Sequence, residues 1–156
     1  MKIKTLVVAV LLTALAAAGF AGDIVRLDFN FWGSDADVVP VGKLPAGVWM
    51  GKKAPFNNKK LYGFATPIYI DIAKAPKVEL KFTVKGKSGV IKPSVMPCRG
   101  KNGKTPTVEC TEFEFNGEVS PKVPLKFADW TNTGLKSDVD DGDTITLKAE
   151  FKPDAK

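Results

Sequence analysis

The side chains best suited to meet a ligand are four aromatics set near turn-forming residues: Trp32, Trp49, Tyr62 and Trp130. A flat aromatic ring can stack on the apolar face of a sugar, while neighbouring Asp, Asn and Lys bind its hydroxyls. Trp130, between Asp129 and Thr131-Asn132, is the best placed for exposure. Trp49, Tyr62, Trp130 and Asn132 are therefore the candidate ligand-binding residues. The competing fate for each ring is core packing, because aromatics chiefly supply buried area.

Catalytic chemistry is harder to assemble. The chain contains no histidine. This excludes Ser–His and Cys–His nucleophile systems and the usual His-bearing zinc and copper sites. A carboxylate-pair hydrolase needs only Asp and Glu, but no two carboxylates stand out as such a pair. The expectation is a protein that is not an enzyme and uses no cofactor. Asp138, Asp140, Asp141 and Asp143 surround Gly142, and grouped oxygens could hold calcium. EF-hand spacing fails here, since it would make Gly142 a ligand and leave the closing Glu out of step. An Asp-Gly turn feeding a strand from Thr144 is the simpler reading, with no metal site.

The first 21 residues bear on where these side chains work. Lys2 and Lys4 precede an almost unbroken apolar run from Thr5 to Phe20, and Gly19 and Ala21 flank Phe20. This is the pattern of a cleaved signal peptide, residues 1–21. A membrane anchor is the rival, but the run falls short of the roughly 20 apolar residues a span needs, and Gly22-Asp23 follows it rather than a basic cluster. No later stretch is apolar enough to span, so the mature chain is expected to be secreted or periplasmic. Residues 22–156 then form one domain, long enough to bury a core. The formal charge falls from +6 to +4 when Lys2 and Lys4 leave with the leader. That is no nucleic-acid footprint. Two basic patches, Lys52-Lys53 with Lys59-Lys60 and Arg99 with Lys101 and Lys104, could contact an anionic polymer, but lysine also guards strand edges. In an oxidising compartment the two cysteines, Cys98 and Cys110, are expected to pair as a disulfide across a turn-rich segment.

The elements that must position these residues are strands. Val25, Leu27, Phe29 and Phe31 alternate with Arg26, Asp28 and Asn30, the period of a half-buried strand. Ile68–Ile72, Val78–Val84 and Thr144–Phe151 repeat the pattern. Val90–Met96 is interrupted by Pro93, which points to an edge or a bulge. Along Val108–Phe115 the apolar parity changes between Cys110 and Phe113, as either a bulge or a strand covered on both faces would cause. Asn116-Gly117 is a tight-turn signal. Gly33–Pro67, with four prolines, falls outside this rhythm apart from a short strand at Val48–Met50. It reads as a long crossing or a binding loop. With no sustained helical period, the fold class is all-β: a single antiparallel β-sandwich, jelly-roll-like.

Residues 78–151 add a resemblance. Val78–Gly86, Ile91–Val95, Glu112–Gly117, Val123–Phe127 and the closing Asp141-Gly142-Asp143-Thr144-Ile145-Thr146-Leu147 resemble the second half of a carbohydrate-binding jelly-roll module. The resemblance implies a non-catalytic binding domain for a polysaccharide or cell-surface glycan, acting through exposed aromatics. The alternative is a structural or adhesive secreted protein that works through protein contacts at its sheet edges.

Overall fold

The structure is a computed structural model that describes residues 24–33, 35–57, 62–98 and 106–153. The proposed leader, residues 1–21, lies outside them. Two antiparallel sheets, not closed into a barrel, make a β-sandwich. The first sheet holds β1 (Ile24–Trp32), β3 (Val48–Met50), β4 (Ala54–Asn57), β5 (Tyr62–Asp71), β7 (Gly89–Pro97), β11 (Thr131–Asn132) and β12 (Ser137–Val139). The second holds β2 (Asp37–Pro40), β6 (Lys77–Lys85), β8 (Val108–Phe115), β9 (Glu118–Val119), β10 (Leu125–Phe127) and β13 (Thr144–Pro153). The first strand and the last each sit at the centre of a sheet: β1 between β5 and β7, β13 between β6 and β8.

The core is the space between the sheets, filled by the apolar alternates of the long strands. Val25, Leu27, Phe29 and Phe31 of β1 are fully buried. They meet Leu80 and Phe82 of β6, Phe113 and Phe115 of β8, and Ile145, Leu147 and Phe151 of β13. Phe29 is central, with its ring edge-on to Phe82 at 5.2 Å and tilted against Phe115 at 5.8 Å. Aromatic pairs of this geometry add to the area they bury.

The parity change in β8 is a bulge. Glu112 pairs with Glu150, but Cys110 pairs with Phe151, so Thr111 is an extra residue. It lets Val108 and Cys110 face the core together with Phe113 and Phe115. Asn116 and Gly117 follow with φ of 52° and 89°, the left-handed backbone of a tight hairpin turn.

Gly33–Pro67 is not the long loop expected. It carries β2, β3, β4 and the first half of β5; the short strand at Val48–Met50 is present as β3. Its prolines are compatible with strands because of where they fall. Pro67 lies inside β5, and its carbonyl accepts from Gly51 N at 2.8 Å, in the gap between β3 and β4. Pro93 lies inside β7, and its carbonyl accepts from Thr133, in the gap between β11 and β12. Each proline thus turns its missing N–H toward a break in the neighbouring strand, where no ladder bond is lost.

The expected Cys98–Cys110 disulfide is absent: both cysteines are free. Cys98 follows β7 and shares the outward parity of Met96, on the first sheet's outer face. Cys110 points into the core from the second sheet, with Sγ 3.2 Å from the Glu112 carbonyl oxygen. The thiols face opposite ways from different layers. Burial pushes the Cys110 thiol up to about 12 and raises Cys98 as well.

Phe29→Ala should cost about 3–5 kcal/mol, as for other buried phenylalanines. Urea unfolding measures this, and a loss below about 1 kcal/mol would contradict the central place given to the ring.

Candidate functional site

β1 has a second row of side chains, pointing away from the core: Arg26, Asp28, Asn30 and Trp32. On the outward face of an open sheet such residues are normally solvated. Here Asp28 is only 5% exposed and Asn30 only 8%. Something covers them, and the cover defines a cleft of about 330 Å³.

One wall comes from β4. Its partner β5 places Gly63 opposite Phe56 on one side and opposite Trp32 on the other. A side chain at Gly63 would meet the Phe56 ring at 2.6 Å and collide with the Phe31 carbonyl oxygen. With that space empty, Phe56 reaches across β5 and packs edge-on against Trp32, ring centroids 5.8 Å apart. Lys92 of β7 places its ammonium 4.1 Å from the Trp32 ring centre, a cation–π contact.

The other wall is Trp130. Phe127 ends β10 in the second sheet and Thr131 starts β11 in the first, so Ala128-Asp129-Trp130 is the crossing between layers. Asp129 fixes its backbone: the carboxylate accepts from Trp130 N at 2.8 Å, and the carbonyl accepts from Thr131 Oγ1 at 2.9 Å. Buried Thr133 and Ser120 anchor the chain just past β11. Thr133 Oγ1 donates to Pro93 O at 2.8 Å, and Ser120 Oγ donates to Thr133 O at 2.5 Å.

The floor is polar and ordered. Arg26 Nε donates to Asp28 Oδ1 at 2.9 Å. Asn30 Nδ2 donates to Lys92 O at 2.8 Å and to Ser94 Oγ at 2.9 Å. Burial pushes the Asp28 carboxyl above its usual value, and Arg26 only partly offsets this. Around the more exposed Arg26, desolvation opposes the charge, but the hydrogen bond and attraction to Asp28 outweigh it. The Trp32 indole Nε1 is buried without a hydrogen-bond partner, a state that costs about 1–3 kcal/mol for a neutral donor.

A second hollow of about 490 Å³ adjoins the first across Arg26, bounded by Tyr69, Met96, Cys98 and Asp129. Beyond it, Trp49 of β3 pairs with Tyr69 of β5, and their rings stack at 5.6 Å with 22° between planes.

Of the residues singled out from sequence, Trp130 is 51% exposed and Trp49 is 45% exposed. Trp130 lines the cleft, and Trp49 flanks the second hollow through its stack on Tyr69. Tyr62 begins β5, and its side chain lies outside the described residues. Asn132 is not brought to the cleft. Its Oδ1 accepts from Gly134 N at 2.7 Å in a turn, and it borders a separate shallow hollow with Lys92 and Lys136. Sequence reasoning passed over Arg26, Asp28, Asn30 and Phe56. A buried Asp and Asn at the middle of an outward row carry no sequence signal of their own.

The acidic turn before β13 is held by its own hydrogen bonds. Asp140 accepts from Ser88 Oγ, Asp141 from Gly86 N and Asp143 from Asp140 N, joining the turn before β13 to the turn after β6. Among the described residues no group of three or more His, Cys, Asp or Glu is placed for a metal. Lys53 bridges Asp37 at 2.9 Å and donates to Asp35 O. Lys59, Lys60, Arg99, Lys101 and Lys104 lie outside the described residues. Among the described residues no helix is long and apolar enough to cross a membrane.

Two outcomes test this geometry. Gly63→Ala should destabilise the fold by about 1–3 kcal/mol through overpacking and change tryptophan emission as Phe56 leaves Trp32; an unchanged unfolding midpoint and spectrum would refute it. For Asp28, a raised folded pKa means the native state holds the proton more tightly. Its contribution is then fully present below the ordinary carboxylate value and lost as pH rises through the raised one. The stability of the native protein relative to Asp28→Asn should fall as pH rises above the ordinary carboxylate value; a flat or rising difference would show that Arg26, not burial, dominates. No family model, curated protein or solved structure matches this chain.

Proposed function

We propose that this protein is an exported, non-catalytic binding domain that takes a polysaccharide or cell-surface glycan into the cleft beneath Trp130. The observation that carries this reading is Trp130 itself. A half-exposed indole stands over a floor of Arg26, Asp28 and Asn30. An apolar ring beside a few fixed polar groups is the usual form of a small-ligand site, and a sugar ring offers the matching pair of surfaces. The Trp49–Tyr69 stack puts a second aromatic patch on the same sheet face.

Binding is favoured over hydrolysis by the carboxylate inventory. Asp28 is the single carboxylate among the described residues lining the cleft, and it is tied to Arg26. Glycoside hydrolysis ordinarily needs two carboxylates flanking the bond. The leader-like residues 1–21 would deliver the domain to where glycans are found.

Affinity-gel retardation or quenching of tryptophan fluorescence by a bound polysaccharide should report binding. Trp130→Ala should weaken it roughly tenfold to a hundredfold, as expected for losing the burial of one large apolar side chain. Absence of binding across a broad glycan array would overturn the proposal.

A further inference from the structure

The hydrogen-bonding inventory of the cleft goes further than its shape. Asn30 spends both amide hydrogens on β7, on Lys92 O and Ser94 Oγ. What it can offer a ligand is therefore an acceptor oxygen. Asp28 uses Oδ1 to hold Arg26, which leaves its second oxygen as another acceptor. The same cleft also holds donors. Arg26 bonds Asp28 through Nε, and its terminal nitrogens are four more N–H donors. Donors and acceptors thus stand side by side on one small surface.

Charge narrows the match. Asp28 is neutralised by Arg26 at 2.9 Å, and the Trp32 ring already carries the Lys92 ammonium. A ligand ammonium only donates, and it would enter beside the Arg26 guanidinium. A ligand carboxylate or sulfate only accepts, and it would enter against Asp28 and the Asn30 oxygen. A hydroxyl does both, accepting from Arg26 while donating to Asp28 or Asn30, at no cost in charge burial.

Building on the proposal of glycan binding, we infer that the cleft selects an uncharged sugar unit, and that Asp28 is the residue that sets this selectivity. The unit lays its apolar face on Trp130 and turns neighbouring hydroxyls to the Asp28–Arg26 pair and Asn30. Uronic acids, sulfated sugars and free amino sugars are rejected by the same groups.

The test is affinity electrophoresis of the mature chain in gels carrying mannan, xylan or a mixed-linkage glucan, against polygalacturonate and chitosan. Whichever neutral polymer retards the protein is also presented after oxidation of its primary alcohols to carboxylates, or after partial carboxymethylation if it has none. The expected result is retardation by a neutral polymer, at least tenfold weaker on its carboxylate-bearing form and on Asp28→Asn, with no retardation by polygalacturonate or chitosan. Urea unfolding of Asp28→Asn checks that it is folded, and Arg26→Gln provides a second variant with the same expectation. Trp130-dependent binding to polygalacturonate or chitosan, as tight as to neutral polymers, would overturn the selectivity while leaving glycan binding intact. No retardation by any polymer, together with a blank glycan array, would overturn both.

Discussion

The molecule depends on β1 being paired on both edges and covered on both faces. Its inward row, Val25 to Phe31, joins the two sheets through Phe29. Its outward row supplies the cleft floor. A slip of one residue would exchange the two rows, placing Asp28 and Asn30 in the core and Leu27 and Phe29 outside. Core packing and cleft assembly are therefore one register decision. The flanking prolines help to hold it. Pro67 stands opposite Asp28 and Pro93 opposite Phe29, and each faces its missing donor away from β1.

The cleft floor is not arranged for stability. A buried ion pair seldom repays the desolvation of both charges, and burial raises Asp28 despite its partner. The orphaned Trp32 Nε1 adds a further cost. An outward row of threonines and valines would pack the same sheet without these penalties. Such local violations are what binding sites commonly retain. They coincide here with the half-exposed Trp130, which makes recognition a more economical account of this face than structure alone.

The strands with clean alternation were legible because period two is a local property. β1, β6 and β13 follow it throughout, and the Thr111 bulge shows as a change of parity between Cys110 and Phe113. β2, β4 and the start of β5 were hidden because Pro40, Pro55 and Pro67 read as breakers. They are tolerated at edges and opposite gaps, and those positions depend on tertiary pairing. The same limit applies to the site. Turn-rich neighbours mark Trp49 and Trp130 as surface rings, but alternation alone assigns Arg26, Asp28 and Asn30 to solvent. What covers them is β4 from one side and the 128–130 crossing from the other. Cys98 and Cys110 are close in sequence and nevertheless face opposite ways, since the chain changes sheets between them.

The way the floor is held bears on how the cleft would bind. Association is weakened by any side chain or loop that must be ordered at the interface. Asn30 is pinned by two hydrogen bonds to β7, Arg26 is held by Asp28, and both sit on a strand paired along its length. The Trp130 segment is braced on either side, by Asp129 within the crossing and by Thr133 and Ser120 beyond it. Binding as proposed would then order little beyond the indole itself. In the proposed binding mode, affinity would rest on how well a ligand covers Trp130 and satisfies the mixed donors and acceptors beneath it. A rigid, electrically balanced floor of this kind would discriminate by hydrogen-bond matching, because a mismatched group leaves a buried partner unpaired.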